Sequence, residues 1–205
     1  MIGEIDDAIR ALVKASDGIA ADVDIALDAP TKDWAARRNA PTVDLFLYDI
    51  REDTRRREYG VTEQRDDAGL VTARIPAPRY FKLSYLVTAW TQRPDDEHRL
   101  LDALLRCFLR FDAIPESVMN GALRETGLPC SLSVALPPPE DRAFADVWSS
   151  LGGELKPSLD LVITAPIARG LMFPAGPPVT AGVAARLQSA GLGVDETATR
   201  AVPGE

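Results

Sequence analysis

Residues 79–111 read RYFKLSYLVTAWTQRPDDEHRLLDALLRCFLRF, and this stretch predicts one long strand followed by one long helix. In its first part every second residue is apolar, so these residues would share one face of a strand, whereas the opposite face is mixed in polarity. A strand of this kind is typical of the middle of a sheet that is packed on helices on one side. The residues of the apolar face are Phe81, Leu83, Tyr85, Val87 and Ala89.

The second part of the stretch predicts a helix over residues 95–110, which follows a strand at residues 80–90. Pro94 suits the first turn of a helix, and the carboxylates at residues 95–97 complement the positive end of the helix dipole. Apolar residues then recur at helical spacing and form one stripe. The stripe consists of Leu100, Leu101, Leu104, Leu105, Phe108 and Leu109.

Other segments repeat these two periodicities around the central unit. Taken together they predict a single α/β domain of α+β-like type over residues 1–166, with a mixed central sheet flanked by helices. The main predicted sheet strands are 42–50, 80–90 and 159–164, and the main helices are 2–16, 95–110 and 140–151. Shorter elements are expected as strands at 23–27 and 131–136, a helical turn begun by Thr31, and a short helix within 115–126.

A charged excursion separates the strands at 42–50 and 80–90. It carries Arg51, Arg55, Arg56 and Arg57, and it has a turn at residues 66–69, so an extended hairpin is expected. Long excursions inside a domain are usually functional or mobile. The arginines are therefore candidates for contacts with a partner, and the alternative is a flexible hairpin that touches nothing.

Residues 167–205 differ in composition from the rest of the chain. They are rich in Pro, Gly and Ala, with one apolar cluster at Leu171, Met172 and Phe173 and a weak helical pattern at residues 183–187. So few large apolar groups cannot offset the entropy of ordering the segment. We expect an extended C-terminal arm that becomes ordered only against a neighbouring subunit or sheath ring, with the apolar cluster as its anchor. The alternative is a disordered tail without a role.

Composition restricts the partners and the compartment. The 205 residues include 23 Lys and Arg against 31 Asp and Glu, a net charge of −8, which argues against binding to nucleic acid. No apolar run approaches the roughly 20 residues of a membrane span, and residues 1–13 do not have the pattern of a secretion signal. Cys107 and Cys130 form no motif, so reduced thiols in the cytoplasm are expected, and a disulfide between them is the less favoured alternative.

The sequence contains no credible catalytic site or cofactor site. The one histidine, His98, follows three carboxylates at residues 95–97, but an acidic helix start explains this cluster without a metal. The two-histidine spacing of zinc enzymes is missing. We therefore expect no enzymatic activity, no metal and no cofactor. Trp34 is interpreted either as a core residue or as an interface anchor.

Several blocks of the chain carry a family resemblance. They are MIGEIDDAIRALV at 1–13, DAPTKDWAARRNAPTVDLFLYDIREDTRRR at 28–57, residues 79–110, and LPCSLSVALPPPEDRAFADVWSSLGGELKPSLDLVITAPI at 128–167. In this order they resemble the cap, or tail-terminator, family of contractile injection systems, which are phage-tail-like particles with an inner tube inside a contractile sheath. The resemblance covers roughly residues 2–166, and the Pro- and Gly-rich arm lies outside it.

The resemblance implies a structural function. Caps of this family form a six-membered ring on the baseplate-distal end of tube and sheath, stop elongation and tie the last sheath layer to the tube. The expected partners are further copies of the chain in a homo-hexamer, the inner tube protein and the sheath protein. Two alternatives stay open, which are another structural adaptor of such a particle, at the tube or the baseplate, and a small hydrolase or ligand-binding domain.

Overall fold

The structure is a computed structural model, and it describes residues 1–137, 144–176, 183–186 and 197–200. The chain divides into two compact units. The first comprises Met1–Tyr59 and Ala77–Arg169, and the second comprises Gly60–Pro76 and Gly170–Glu205.

The described part of the chain contains both strands and helices, as the two sequence periodicities predicted, with three strands in succession before the longest helix and four after the last helix. The strands are β1 (Asp24–Ala26), β2 (Thr42–Glu52), β3 (Val61–Arg65), β4 (Val71–Pro76), β5 (Arg79–Trp90), β6 (Ser131–Val134), β7 (Leu159–Ile167), β8 (Phe173–Pro174), β9 (Val183–Arg186) and β10 (Thr197–Arg200). The helices are α1 (Ile2–Lys14), α2 (Lys32–Ala36), α3 (Pro94–Leu109), α4 (Gly121–Glu125) and α5 (Phe144–Ser150), with single 3-10 turns at Thr54–Arg56 and Glu116–Val118.

The first unit is built on a five-stranded sheet in the order β1-β2-β5-β7-β6. Strand β1 runs parallel to β2, and the other neighbours are antiparallel, so the predicted mixed sheet and the α/β class are confirmed. The long strand β5 lies at the centre, where Leu45 of β2 pairs with Val87 and Leu161 of β7 pairs with Tyr85. The prediction that β5 is a central strand is therefore confirmed.

Helices α1 and α3 pack on one face of this sheet, together with α4. The apolar face predicted for residues 81–89 is the face that they cover, and the stripe of α3 meets it through Leu104 and Phe108, which are fully buried. Tyr85 also lies in this core, and its hydroxyl donates a hydrogen bond of 2.8 Å to Asp6 Oδ1 of α1. Helix α1 is thus held to the central strand by both apolar packing and a partly buried hydrogen bond.

The predicted helix within residues 115–126 is instead a 3-10 turn followed by α4. Met119 and Asn120 are extended between them, and Gly121 has a φ of +50°, a conformation that glycine adopts at little cost. Glu4 of α1 accepts hydrogen bonds from the backbone N–H groups of Ala122 (3.3 Å) and Leu123 (2.7 Å). A carboxylate 118 residues away therefore caps α4, which local sequence could not reveal.

Two more helices match their sequence signals. Thr31 caps α2, since its Oγ1 accepts a hydrogen bond of 3.2 Å from the Trp34 N–H. Helix α5 lies inside the helix predicted for 140–151, and residues 140–143 are outside the described residues. In the described part of the chain, no helix has the length and apolar character needed to span a membrane.

The second unit contains the expected hairpin. Strands β3 and β4 pair antiparallel across a turn in which Asp66 Oδ1 accepts hydrogen bonds from two backbone N–H groups, those of Ala68 and Leu70. Strand β8 adds to the other side of β4. We expected the arm to become ordered only against a neighbouring subunit or sheath ring, but residues 173–175 instead make backbone hydrogen bonds and strand pairing with β4 of the same chain.

The weak helix predicted at residues 183–187 is also wrong for the described residues of that range. Residues 183–186 form β9, which pairs antiparallel with β10 from Val183 opposite Arg200 to Arg186 opposite Thr197. A helical pattern of a few residues stabilises little by itself, so pairing with a second extended segment determines the backbone here.

Candidate partner-binding surfaces

The charged segment predicted to contact a partner begins at the end of β2. Arg57 donates hydrogen bonds to both carboxylate oxygens of Glu52, with 2.9 Å between Nε and Oε1, and Arg79 lies 3.5 Å from the same carboxylate. The hydrogen bonds from Arg57 are the main reason that the pKa of Glu52 is lowered. The Arg57 side chain is therefore held by Glu52 and does not project freely into solvent.

The other three arginines of the segment differ in their surroundings. The Arg56 guanidinium lies 3.9 Å from the centre of the Tyr80 ring, a cation–π contact, and Arg51 is 3.2 Å from Asp49. Arg55 is exposed in the middle of a 3-10 turn. The structure thus brings all four arginines to one end of β2, where Arg51 and Arg55 are exposed to solvent and Arg56 and Arg57 are partly buried.

The predicted apolar anchor lies in the second unit. Leu171, Met172 and Phe173 are 45%, 64% and 53% exposed, respectively. The backbone at this point is nevertheless ordered, since Phe173 pairs with Arg74 of β4 and the N–H of Ala175 donates to the Thr72 carbonyl at 3.0 Å. Three large apolar side chains are therefore presented to solvent on a backbone that is already extended.

A cluster of the three tryptophans was not predicted from the sequence. Trp34 and Trp90 meet edge to face with 5.5 Å between ring centres, and Trp148 lies 6.5 Å from Trp90. Cations flank the cluster, since Arg38 is 4.4 Å from the centre of Trp34, and Lys156, which is ion-paired with Glu97, is 4.8 Å from the centre of Trp90. Trp34 is only 5% exposed, so its interpretation as a core residue is the one that this chain supports. No sequence spacing connects residues 34, 90 and 148, so the sequence alone offered no signal for this cluster.

The tryptophans lie beside the second face of the central sheet, which is the face away from α1 and α3. All six buried polar side chains of the described residues lie on strand positions that belong to this face. Most of them have neutral hydroxyl groups, but Asp44 and Asp160 are carboxylic acids. The six are Thr42, Asp44, Ser84, Thr88, Asp160 and Thr164.

Two open clefts lie on either side of α2. The larger has a volume of about 460 Å³ and is lined by Arg38, Pro41, Trp90 and Leu100, among others. The smaller, of about 330 Å³, is lined by Pro30, Trp90, Trp148 and Lys156, among others. Trp90 borders both clefts, so a change in the packing of α2 would alter both.

The residues considered for metal binding or catalysis are the histidine with its acidic neighbours and the two cysteines. His98 is exposed on α3, and Glu97 beside it binds Lys156 and the backbone N–H of Thr91 (3.3 Å). Among the described residues, no group of three or more His, Cys, Asp or Glu side chains could hold a metal ion. Cys107 and Cys130 are both buried as free thiols, and burial raises the pKa of each, to about 11 for Cys130.

Comparison with solved structures finds the same fold in two proteins of known structure. A PVC sheath/tube terminator from an extracellular contractile injection system, solved in the extended state, shares the fold with a TM-score of 0.70 and 24% identity over 94% of this chain. The cap of the anti-feeding prophage, a tube-terminating cap, gives a TM-score of 0.63 and 20% identity over 88% of this chain. The matches cover 65% and 60% of those proteins, so the chain spans less than two thirds of their length.

The sequence comparisons agree with this fold. No curated protein matches the chain. A family model described as the Pvc16 N-terminal domain matches residues 4–181, which is most of the 205 residues. The resemblance identified from the separate sequence blocks is thereby confirmed at the level of the family, and the chain belongs to the Pvc16 N-terminal domain family.

Proposed function

We propose that the chain is the structural cap, or tail terminator, of a contractile injection system. It forms a ring on the baseplate-distal end of the inner tube and sheath, ends their elongation and couples the sheath to the tube. The observation that carries this proposal is the fold, which is shared over 94% of the chain with a protein described as a sheath/tube terminator. Membership in the Pvc16 N-terminal domain family supports the same conclusion.

The ring is proposed to be a homo-hexamer with head-to-tail contacts. Contacts of this kind close into a ring when the rotation between neighbours divides the circle evenly, and a six-membered ring matches a six-fold tube. Its other partners are the inner tube protein and the sheath protein, and neither nucleic acid nor a membrane is involved. We place assembly in the cytoplasm of the producing cell, a reducing compartment that suits two buried free thiols.

The cap is proposed to act by binding alone, without catalysis, cofactor or metal. Support comes from the two similar structures, both of which are described as terminators. The contacts are assigned to the charged segment around Arg55 and to the apolar anchor Leu171–Phe173. The first lies at the end of a long central strand, and the second is exposed on an ordered backbone.

Particles assembled with and without the chain test this function. With the chain present, electron microscopy should give sheaths of uniform length, and counting by quantitative mass spectrometry should give six copies per particle. Without it, we expect sheaths that vary widely in length or detach from the tube, because nothing ends their elongation. Uniform sheaths in the absence of the chain, or its location at the baseplate, would contradict the proposal.

Arg55→Glu should weaken docking of the ring onto the particle end. An exposed ion pair contributes about 0.2–1 kcal/mol, and six equivalent contacts act together, so a roughly tenfold or larger loss of capped particles is expected at equal protein concentration. The single change is preferable to reversal of Arg55, Arg56 and Arg57 together, because the triple variant would also break the contacts with Glu52 and Tyr80.

The matched control for this prediction is Arg106→Glu. It makes the same change of charge at an exposed position of α3, where Arg106 pairs with Asp102 at 2.9 Å. Capping should be close to wild type with this control, and negative-stain counts of capped particles measure both variants. Equal capping by Arg55→Glu and the control would remove the charged segment from the interface.

A further inference from the structure

Asp44 is a buried carboxyl group without a hydrogen-bond partner. It lies on β2 between Ala26 of β1 and Thr88 of β5, and its side chain is completely buried. No side chain of the described residues hydrogen-bonds its carboxyl oxygens, and the backbone N–H groups of Leu45 and Asp28, which lie close enough to lower its pKa, do not make well-formed hydrogen bonds with them. Because buried polar groups are nearly always paired, an unpaired carboxyl in the centre of a sheet requires an explanation.

The charged groups that face Asp44 are Asp28, which follows β1, and Arg38, which follows α2. Asp28 Oδ2 accepts a hydrogen bond from Trp34 Nε1 (3.0 Å) and one from the Arg38 guanidinium (3.4 Å). Arg38 also stacks on Trp34, while its Nε is buried without a partner. An unused donor on Arg38 and two unused acceptors on Asp44 therefore belong to one cluster, but they do not bind each other.

The protonation state of Asp44 explains this arrangement. Burial and the nearby charge of Asp28 raise the pKa of Asp44, while Arg38 and the backbone N–H groups of Leu45 and Asp28 lower it, and together they leave it at about 8. At neutral pH the carboxyl is therefore mostly uncharged and attracts no cation. Once ionised, it would be a buried charge that costs several kcal/mol unless a cation pairs with it, and Arg38 is the cation within reach.

We propose that Asp44 is a proton-dependent latch for the segment at residues 28–41. While Asp44 is neutral, Arg38 stays on Asp28 and Trp34 and holds α2 against the sheet. When Asp44 loses its proton, Arg38 turns to the new carboxylate, its contacts with Asp28 and Trp34 are lost, and α2 loosens.

The surroundings of Arg38 permit this movement. Arg38 lines the larger cleft beside α2, and its side chain is about a third exposed. The cleft therefore gives the guanidinium both room to turn and contact with water. Since Trp34 packs on Trp90, which borders both clefts, the latch would change the surface on both sides of α2. This inference concerns the first unit alone and does not depend on the proposed function.

Tryptophan fluorescence of the purified full-length chain between pH 6 and 10 tests the latch. Wild type should change in intensity with a midpoint near pH 8, because Arg38 leaves Trp34 there. Asp44→Asn should keep the low-pH signal throughout, because an amide has nearly the same shape but cannot ionise. The control Asp33→Asn makes the same change at an exposed position of α2 and should keep the wild-type step. An equal step in Asp44→Asn, or no step in wild type, would refute the latch.

Two further measurements distinguish the latch from titration of a buried Asp44 that moves no other group. Arg38→Gln removes the moving group, so the fluorescence step should disappear although Asp44 still titrates. The carboxyl ¹³C chemical shift of Asp44 in wild type should have a midpoint near pH 8, and this measurement stands even if Asp44→Asn fails to fold. A midpoint near pH 4, the ordinary range of an aspartate, or an undiminished step in Arg38→Gln, would overturn the proposal.

The same latch has a consequence for stability. Because the pKa of Asp44 is higher in the folded chain than in the unfolded chain, the folded state binds the extra proton between about pH 4 and pH 8. The melting temperature of wild type should therefore fall relative to Asp44→Asn as the pH rises through this window, and the gap should stop widening above about pH 8. A gap that is independent of pH would contradict the raised pKa.

Discussion

Replacing Tyr85 with alanine should reduce the free energy of unfolding by about 3–5 kcal/mol, the range for removing a large aromatic side chain from a core. Tyr85 is completely buried in the middle of β5, where it packs between the central sheet and α1. Domains are stable by only about 5–15 kcal/mol, so this single change should remove a large fraction of the total. Chemical denaturation followed by circular dichroism measures the loss.

Tyr85→Phe separates the hydrogen bond from the packing. It keeps the ring but removes the hydroxyl that donates to Asp6 Oδ1 at 2.8 Å, and a hydrogen bond to a charged acceptor contributes about 1.5–3 kcal/mol. Burial and the Asp6 carboxylate both raise the pKa of Tyr85, so the hydroxyl stays a donor over the whole working range. We therefore expect a smaller loss than for alanine. Equal losses for the two variants would mean that the ring contributes no packing energy.

Removing residues 170–205 should leave rings able to form but should abolish uniform sheath length. The strands and helices of the first unit end at Ile167, so a cut after Arg169 leaves that unit whole. The deletion takes away Leu171, Met172 and Phe173, whose remaining exposed area would be buried against a neighbour. At about 1 kcal/mol for each half-exposed side chain, six arms would lose well over 10 kcal/mol of contact with the particle.

Two matched variants locate this effect. Removing residues 177–205 alone keeps the anchor and its pairing with β4, so sheath length should stay closer to wild type. The full-length triple variant Leu171→Ser, Met172→Ser, Phe173→Ser changes exposed side chains and should fold normally, yet it should reproduce the defect of the longer deletion. Electron microscopy measures length in each case. Uniform sheaths with all three variants would end the assignment of the anchor as a contact.

Local sequence determined the elements whose pattern is long and regular. The face shared by residues 81–89, the acidic start of α3 and the Thr31 cap of α2 depend on residues only two to four positions apart. Such features are stabilised within the element itself, so they could be predicted together with the α/β class. The helix within residues 115–126 was predicted as continuous because nothing local marked the extended backbone at Met119 and Asn120.

The surroundings of the candidate partner surfaces could be predicted only in part. The arginine-rich segment and the apolar anchor stood out by composition, and Arg55 and Phe173 are exposed to solvent in the structure. The run of charged residues could not predict that Arg57 binds Glu52 or that Arg56 packs on Tyr80. These side-chain contacts depend on the register between β2 and β5, which are separate segments of the sequence.

Tertiary structure alone decided the features that join distant parts of the chain. Nothing in the sequence distinguished Asp44 from Asp49 in the strand predicted at 42–50, and the complete burial of Asp44 beside Asp28 and Arg38 follows from the pairing of β2 with both β1 and β5. The same holds for β8, which needs β4 about 100 residues earlier. Periodicity records which residues can share a face of one element, whereas the partner of that face is fixed by packing between segments that are far apart in sequence.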